Sequence, residues 1–128
     1  MKIAFHCNQL GVQGTEVAMY DYANYSEKIL GHESIIFAKD PKVWNRSHPL
    51  AVKKFQNRFK VFQYNQFEEV EPILEAEGVD LFYAIKAGFR DEVLSRGRKS
   101  VIHAVFQYHE KHGDVYAYIS EWLGSLYQ

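Results

Sequence analysis

The chain has one cysteine, Cys7, and three prolines among 128 residues. A lone thiol closes no internal disulfide, so the fold must rest on a packed core, and a reducing cytoplasm is the expected setting. Cys7 falls in a run expected to be buried, with no sequence neighbour to activate it, which argues against a nucleophilic thiol. No apolar run approaches the roughly 20 residues that a membrane span requires. The start, Met1-Lys-Ile-Ala-Phe5, is too short and turns polar too soon for a secretory signal. The formal charge of −1 leaves no broad positive field for a nucleic-acid backbone. Internal repeats and low-complexity segments are also lacking.

What is present suits one α/β domain. With 47% hydrophobic and 24% charged residues, the length is enough for one real core and too short for two. Lys2 to Cys7 is a short apolar run that opens into Gly11, Gly14 and a Thr15-Glu16 pair before a helical pattern from Val17 to Leu30. Thr15 is the expected N-cap. Ala18, Tyr22, Tyr25 and Ile29 are spaced as one helical face expected to pack on the core, and Gly31 stops the helix. Ser34 to Ala38 is almost wholly apolar, as strands covered on both faces are.

Lys39 to Lys60 holds seven of the fifteen basic residues and one of the sixteen acids. It reads as a solvated loop followed by a surface helix from Pro49 to Asn57, or as a positive patch beside a ligand site. Phe59 to Tyr64 forms a third strand. Asn65 and Glu68 are spaced as a capping box, Phe67, Val70, Ile73 and Leu74 make a helical stripe, and Gly78 ends it. Pro72 inside that stripe predicts a kink or a helix in two pieces. Val79 to Ile85 is a fourth strand, Asp91 to Arg96 a short helix, and Ser100 to Ala104 a fifth strand. Asp114 to Ile119 is a sixth strand, followed by a helix start at Ser120.

Strands alternating with helices predict a Rossmann-like three-layer sandwich with a mainly parallel sheet of about six strands, a single domain over residues 1–128. Ligands of such sheets bind beyond the carboxyl ends of the strands, near the point where strand order reverses. That rule nominates the loop from Asn8 to Glu16, Lys39 and Asp40, Lys86, His103 and Gln107, and Ser120 and Glu121. A dinucleotide fingerprint is not met, because Gly11-Val-Gln-Gly14 has the wrong spacing and lacks a third glycine, although Asp40 stands where the ribose-binding acid belongs. No Gly-Lys-Ser/Thr ending marks a phosphate loop. His109 and His112 are spaced as possible metal ligands with His103 upstream, but no third ligand stands at readable spacing, so solvent-exposed histidines and no metal are expected.

Gly14-Thr-Glu16 at the opening of the first helix, His103 within Val101-Ile-His-Ala-Val-Phe106, and Val115-Tyr-Ala-Tyr-Ile-Ser-Glu-Trp-Leu123 occur in an order that resembles the N-terminal half of GT-B glycosyltransferases of the retaining, family-four type. Phe82 to Gly88 and Ala18 to Ala23 add to the likeness, which spans nearly the whole chain. The resemblance implies transfer of a sugar from a nucleotide-sugar to an acceptor, with no metal or other cofactor. It implies catalytic roles for His103 and Glu16, and substrate contacts from Gln13, Gly14, Thr15, Lys86 and Gln107. His103 would hydrogen-bond the transferred sugar, or else be a strand histidine satisfied by backbone. Glu16 would hold hydroxyl groups, or only favour the first helical turn through its charge. Lys86 would meet a phosphate, or simply be a solvated loop lysine.

Gln13 departs from the family, standing where its first loop usually has a glycine. A second, donor-binding domain, expected to lie outside these residues, would hold the nucleotide-sugar. The 128 residues would then supply the acceptor wall of a cleft and show little or no transferase activity alone. The alternative is a non-catalytic module that binds a glycan or a partner chain. With 20 aromatics and a missing partner domain, some apolar surface is expected to lie uncovered and invite self-association.

Overall fold

A computed structural model describes residues 1–105 and 110–118. Its elements in chain order are β1 (Lys2–His6), α1 (Gly14–Lys28), β2 (Glu33–Lys39), α2 (Pro49–Arg58), β3 (Lys60–Tyr64), a 3-10 turn (Phe67–Glu69), α3 (Val70–Glu77), β4 (Leu81–Lys86), β5 (Lys99–Ala104) and β6 (Val115–Tyr118). The strands form one sheet in the order β3-β2-β1-β4-β5-β6, and every pairing is parallel. Chain order reverses direction between β1 and β4, so the crevice of a doubly wound sheet is expected at their carboxyl ends.

Alternation along each strand divides the core in two. Ile3, Phe5 and Cys7, Ile36 and Ala38, and Ile85 face α1 and α2, where they meet Met19, Ala23, Phe55 and Phe59. Ala4, Ile35 and Phe37, Phe82 and Ala84, and Ile102 face α3, where they meet Val70 and Leu74. The sheet between two helical layers is the Rossmann-like sandwich expected from the sequence.

Four local expectations are corrected. The stripe expected to bury α1 is turned outward: Tyr22, Tyr25 and Ile29 are exposed, while Glu16, Met19 and Ala23 are buried. Both stripes have helical spacing, and closeness decides between them, because the Ser34 hydroxyl donates to the Ala23 carbonyl at 2.9 Å. A tyrosine at the contact would hold the helix off the strand. The N-cap of α1 is Gln13 rather than Thr15, and its side chain makes no capping hydrogen bond.

The segment from Asp91 to Arg96 is not helical, since carboxylates take its amide protons instead. The Val93 amide donates to Asp91, and the Ser95 hydroxyl and the Arg96 and Gly97 amides donate to the Glu71 carboxylate. The Asp91 carboxylate competes locally with the helical ladder, and Glu71 on α3 adds a long-range acceptor. The capping box is formed by Gln66 and Glu69, one residue on from the expected pair. Pro72 does divide its helix: a 3-10 turn ends at Glu69 and α3 restarts at Val70, which puts the proline in a first turn where a missing N–H costs little. Gly78, at φ 67°, closes α3 in the left-handed conformation that glycine adopts without strain. The expected helix from Ser120 lies outside the described residues.

Candidate functional site

The carboxyl ends of β4 and β5 and the amino end of α1 enclose a hollow of about 240 Å³ lined by Gly14, Thr15, Ala18, Tyr22, Ile85, His103 and Val105. Residues 14 and 103, distant in sequence, therefore share one wall of one cavity, on the α1 face beside the reversal of strand order. Gly14 leaves that wall open, because a Cβ built there meets nothing within 4 Å. The uncapped first turn of α1 brings donor amides and the positive end of the helix dipole to the same edge. Pockets that enclose a whole small ligand usually run from about 300 Å³ upward. The hollow is a partial site by that measure, with room for one end of a ligand.

His103 is the best-defined group here. Its ring lies against Tyr22, with centroids 5.9 Å apart and planes at 25°. Its Nδ1 is hydrogen-bonded to the Tyr83 hydroxyl at 2.9 Å. Half-burial holds the imidazole below its ordinary pKa, so the ring is neutral at pH 7. Burial, with the Tyr22 hydroxyl nearby, pushes the Tyr83 phenol up to about 12. The histidine is thus satisfied by a side chain, not by the backbone.

The other residues nominated from sequence scatter. Glu16 is buried at 1% exposure and turned into the loop. There its Oε1 accepts from the Gln9 amide at 3.1 Å, while Oε2 is buried without a partner among the described residues. The Trp44 indole donates to Gln9 in turn, at 3.0 Å. A Cβ at Gly11 would lie 2.9 Å from Glu16 Oε1, so the carboxylate would have to shift to admit one. Gln13 is exposed.

Lys86 follows Ile85 by one residue and so projects from the opposite face of the sheet. It is buried, with Nζ 2.5 Å from Asp91 and donating to the Val93 carbonyl at 3.0 Å. Burial lowers its pKa despite that partner. It is therefore neither in the hollow nor a solvated loop lysine. Gln107 and His109 lie outside the described residues. His112, expected in solvent, is buried, with Nδ1 2.5 Å from the Glu110 carbonyl. Among the described residues no three of His, Cys, Asp or Glu are grouped to hold a metal ion.

The basic stretch is largely engaged locally. Arg58 pairs with Glu27 at 2.7 Å and Lys60 with Glu77 at 2.5 Å. Lys54 lies over the Tyr20 ring, and Lys39 and Arg46 lie over Trp44.

Sequence reasoning missed His6, which lies at the end of β1 on the α3 face. Its Nε2 is 2.6 Å from the Tyr64 hydroxyl, and Phe67 and Phe82 complete the nest. Nδ1 is buried without a partner among the described residues. Burial, helped by the Lys86 charge, pushes its pKa down to about 3. Strand alternation placed His6 on a buried face from the outset, and that signal was available. Below the hollow, sharing Tyr22 with it, runs an open apolar groove of about 700 Å³ between the outward face of α1 and β1 and β4; Tyr25, Ile29, Leu81 and Tyr83 line it. No described helix is long and apolar enough to cross a membrane. No protein-family model, characterised protein or solved structure matches the chain.

Proposed function

We propose that this domain is the acceptor-side half of a GT-B glycosyltransferase, in which a sugar passes from a nucleotide-sugar to an acceptor across a cleft completed by a donor-binding domain. The observation that carries the reading is the hollow shared by Gly14, Thr15 and His103, at the sheet edge where doubly wound folds bind ligands. In this reading the amino end of α1 stabilises negative charge growing on the departing diphosphate, an electrostatic contribution that needs no covalent intermediate. His103 supplies a hydrogen bond to the sugar. The size of the hollow agrees with a site of which these residues form one wall.

The second reading, a non-catalytic module that binds a glycan or partner chain, is favoured by two observations. Glu16, the carboxylate of the family-like loop, is buried away from the hollow, and Gln13 replaces a glycine. The test mixes the chain with a GT-B donor-domain chain and follows sugar release from a panel of nucleotide-sugars. Transfer that appears only in the mixture and is lost with His103→Ala supports the transferase. A stable complex without chemistry favours the binding module, and robust turnover by these 128 residues alone overturns the half-site reading.

A further inference from the structure

We infer that Tyr83 is a positioning residue for His103: its hydroxyl donates to Nδ1, fixes the imidazole as the Nε2–H tautomer, and leaves the hollow facing a hydrogen-bond donor. The register of the sheet makes this arrangement. Ile85 on β4 pairs with His103 on β5, and Tyr83, two residues earlier on β4, lies on the same face. It reaches Nδ1 at 2.9 Å. Of the two groups, the phenol is the stronger acid and the imidazole nitrogen the stronger base, so the proton of the shared bond sits on oxygen. The raised pKa of Tyr83 keeps that phenol protonated.

With Nδ1 used as an acceptor, the ring's proton is on Nε2, the only polar atom of the ring left for the hollow. Among the described residues nothing pairs with it. Tyr22 closes one face of the ring and Tyr83 packs edge-on at 90°, so the imidazole cannot turn over without unstacking. The consequence is chemical. A neutral Nε2–H donates to a ligand hydroxyl or anionic oxygen and cannot accept a proton, so His103 polarises or anchors and is not a general base. Its role toward a transferred sugar rests on the transferase reading; the tautomer does not.

The test is a long-range proton–nitrogen NMR spectrum of the nitrogen-15-labelled chain at neutral pH, with the His103 signals identified by their loss in His103→Gln. The expected pattern has Nδ1 unprotonated and Nε2 protonated. In Tyr83→Phe, which keeps the ring that packs on Phe5, the bias should relax by roughly fivefold to tenfold, the worth of one neutral hydrogen bond. The unchanged His6 signals report that the variant is folded. An Nδ1–H tautomer in the parent chain, or a tautomer ratio unmoved by Tyr83→Phe, overturns the inference. The expected tautomer together with no transfer in the two-chain mixture leaves the inference standing and sinks the transferase reading instead.

Discussion

The buried His6–Tyr64 pair makes acid stability the most demanding test of this structure. His6 is held neutral in the folded chain, its pKa lowered from 6.5 to about 3, first by burial and then by the charge of Lys86. A lowered folded value means that between those two pH values the unfolded chain binds the extra proton. Stability from this site is therefore complete above pH 6.5 and is lost as pH falls toward 3. The slope approaches about 1.4 kcal/mol per pH unit. Between pH 6.5 and 5 that is about 2 kcal/mol, a large share of the roughly 5 to 15 kcal/mol that holds a domain of ordinary stability together.

The control must remove the titrating group without leaving a buried hydroxyl unpaired, which costs about 1 to 3 kcal/mol. His6→Phe with Tyr64→Phe replaces both partners by apolar rings and is expected to fold. Unfolding free energies from urea titrations at pH 7, 6 and 5 should fall more steeply in the parent than in the double variant, by about 2 kcal/mol between pH 7 and 5. Carboxylates common to both chains cancel in that difference. Equal pH slopes would refute the burial of a neutral His6.

Three further outcomes follow from the packing. Gly11→Ala, which forces Cβ to within 2.9 Å of the Glu16 carboxylate, should cost about 1 to 3 kcal/mol in chemical denaturation, whereas Gly14→Ala, with open space before it, should cost almost nothing and instead intrude on the hollow. The Cys7 thiol, pushed up to about 12 by burial and the Glu16 charge, should resist alkylation at pH 8 until the chain unfolds; labelling faster than global opening would contradict its burial. Tyr22→Lys with Ile29→Lys, both on the exposed side of the apolar groove, should suppress self-association seen by light scattering at high concentration, and a parent chain that stays monomeric there would count against the groove as a sticky surface.

Parallel strands between two helical layers were legible because the centre of β2, Ile35 to Ala38, is apolar and the strands recur with helical segments between them. Gly31 and Gly78 end helices as read, each with positive φ. The rule that ligands lie beyond strand ends nominated Gly14, Thr15 and His103, and these three line one hollow. Glu16 and Lys86 were nominated by the same rule and left the hollow for reasons of direction: one turns back into its loop, and the other is a single residue out of phase with Ile85. Tyr22 and Tyr83 were not nominated at all, because their importance lies in what they do to His103, and no spacing in one sequence encodes a cross-strand partner.

The sequence alone determined the class of element at most positions, since periodicity, glycine stops and the effect of Pro72 act within a few residues of the chain. Only the tertiary structure decided which stripe of α1 met the sheet, where Asp91 and Glu71 sent their lone pairs, and which atom of His103 was left to the hollow. Each of those choices is a competition between two locally acceptable arrangements, and a contact with a residue distant in sequence settles it.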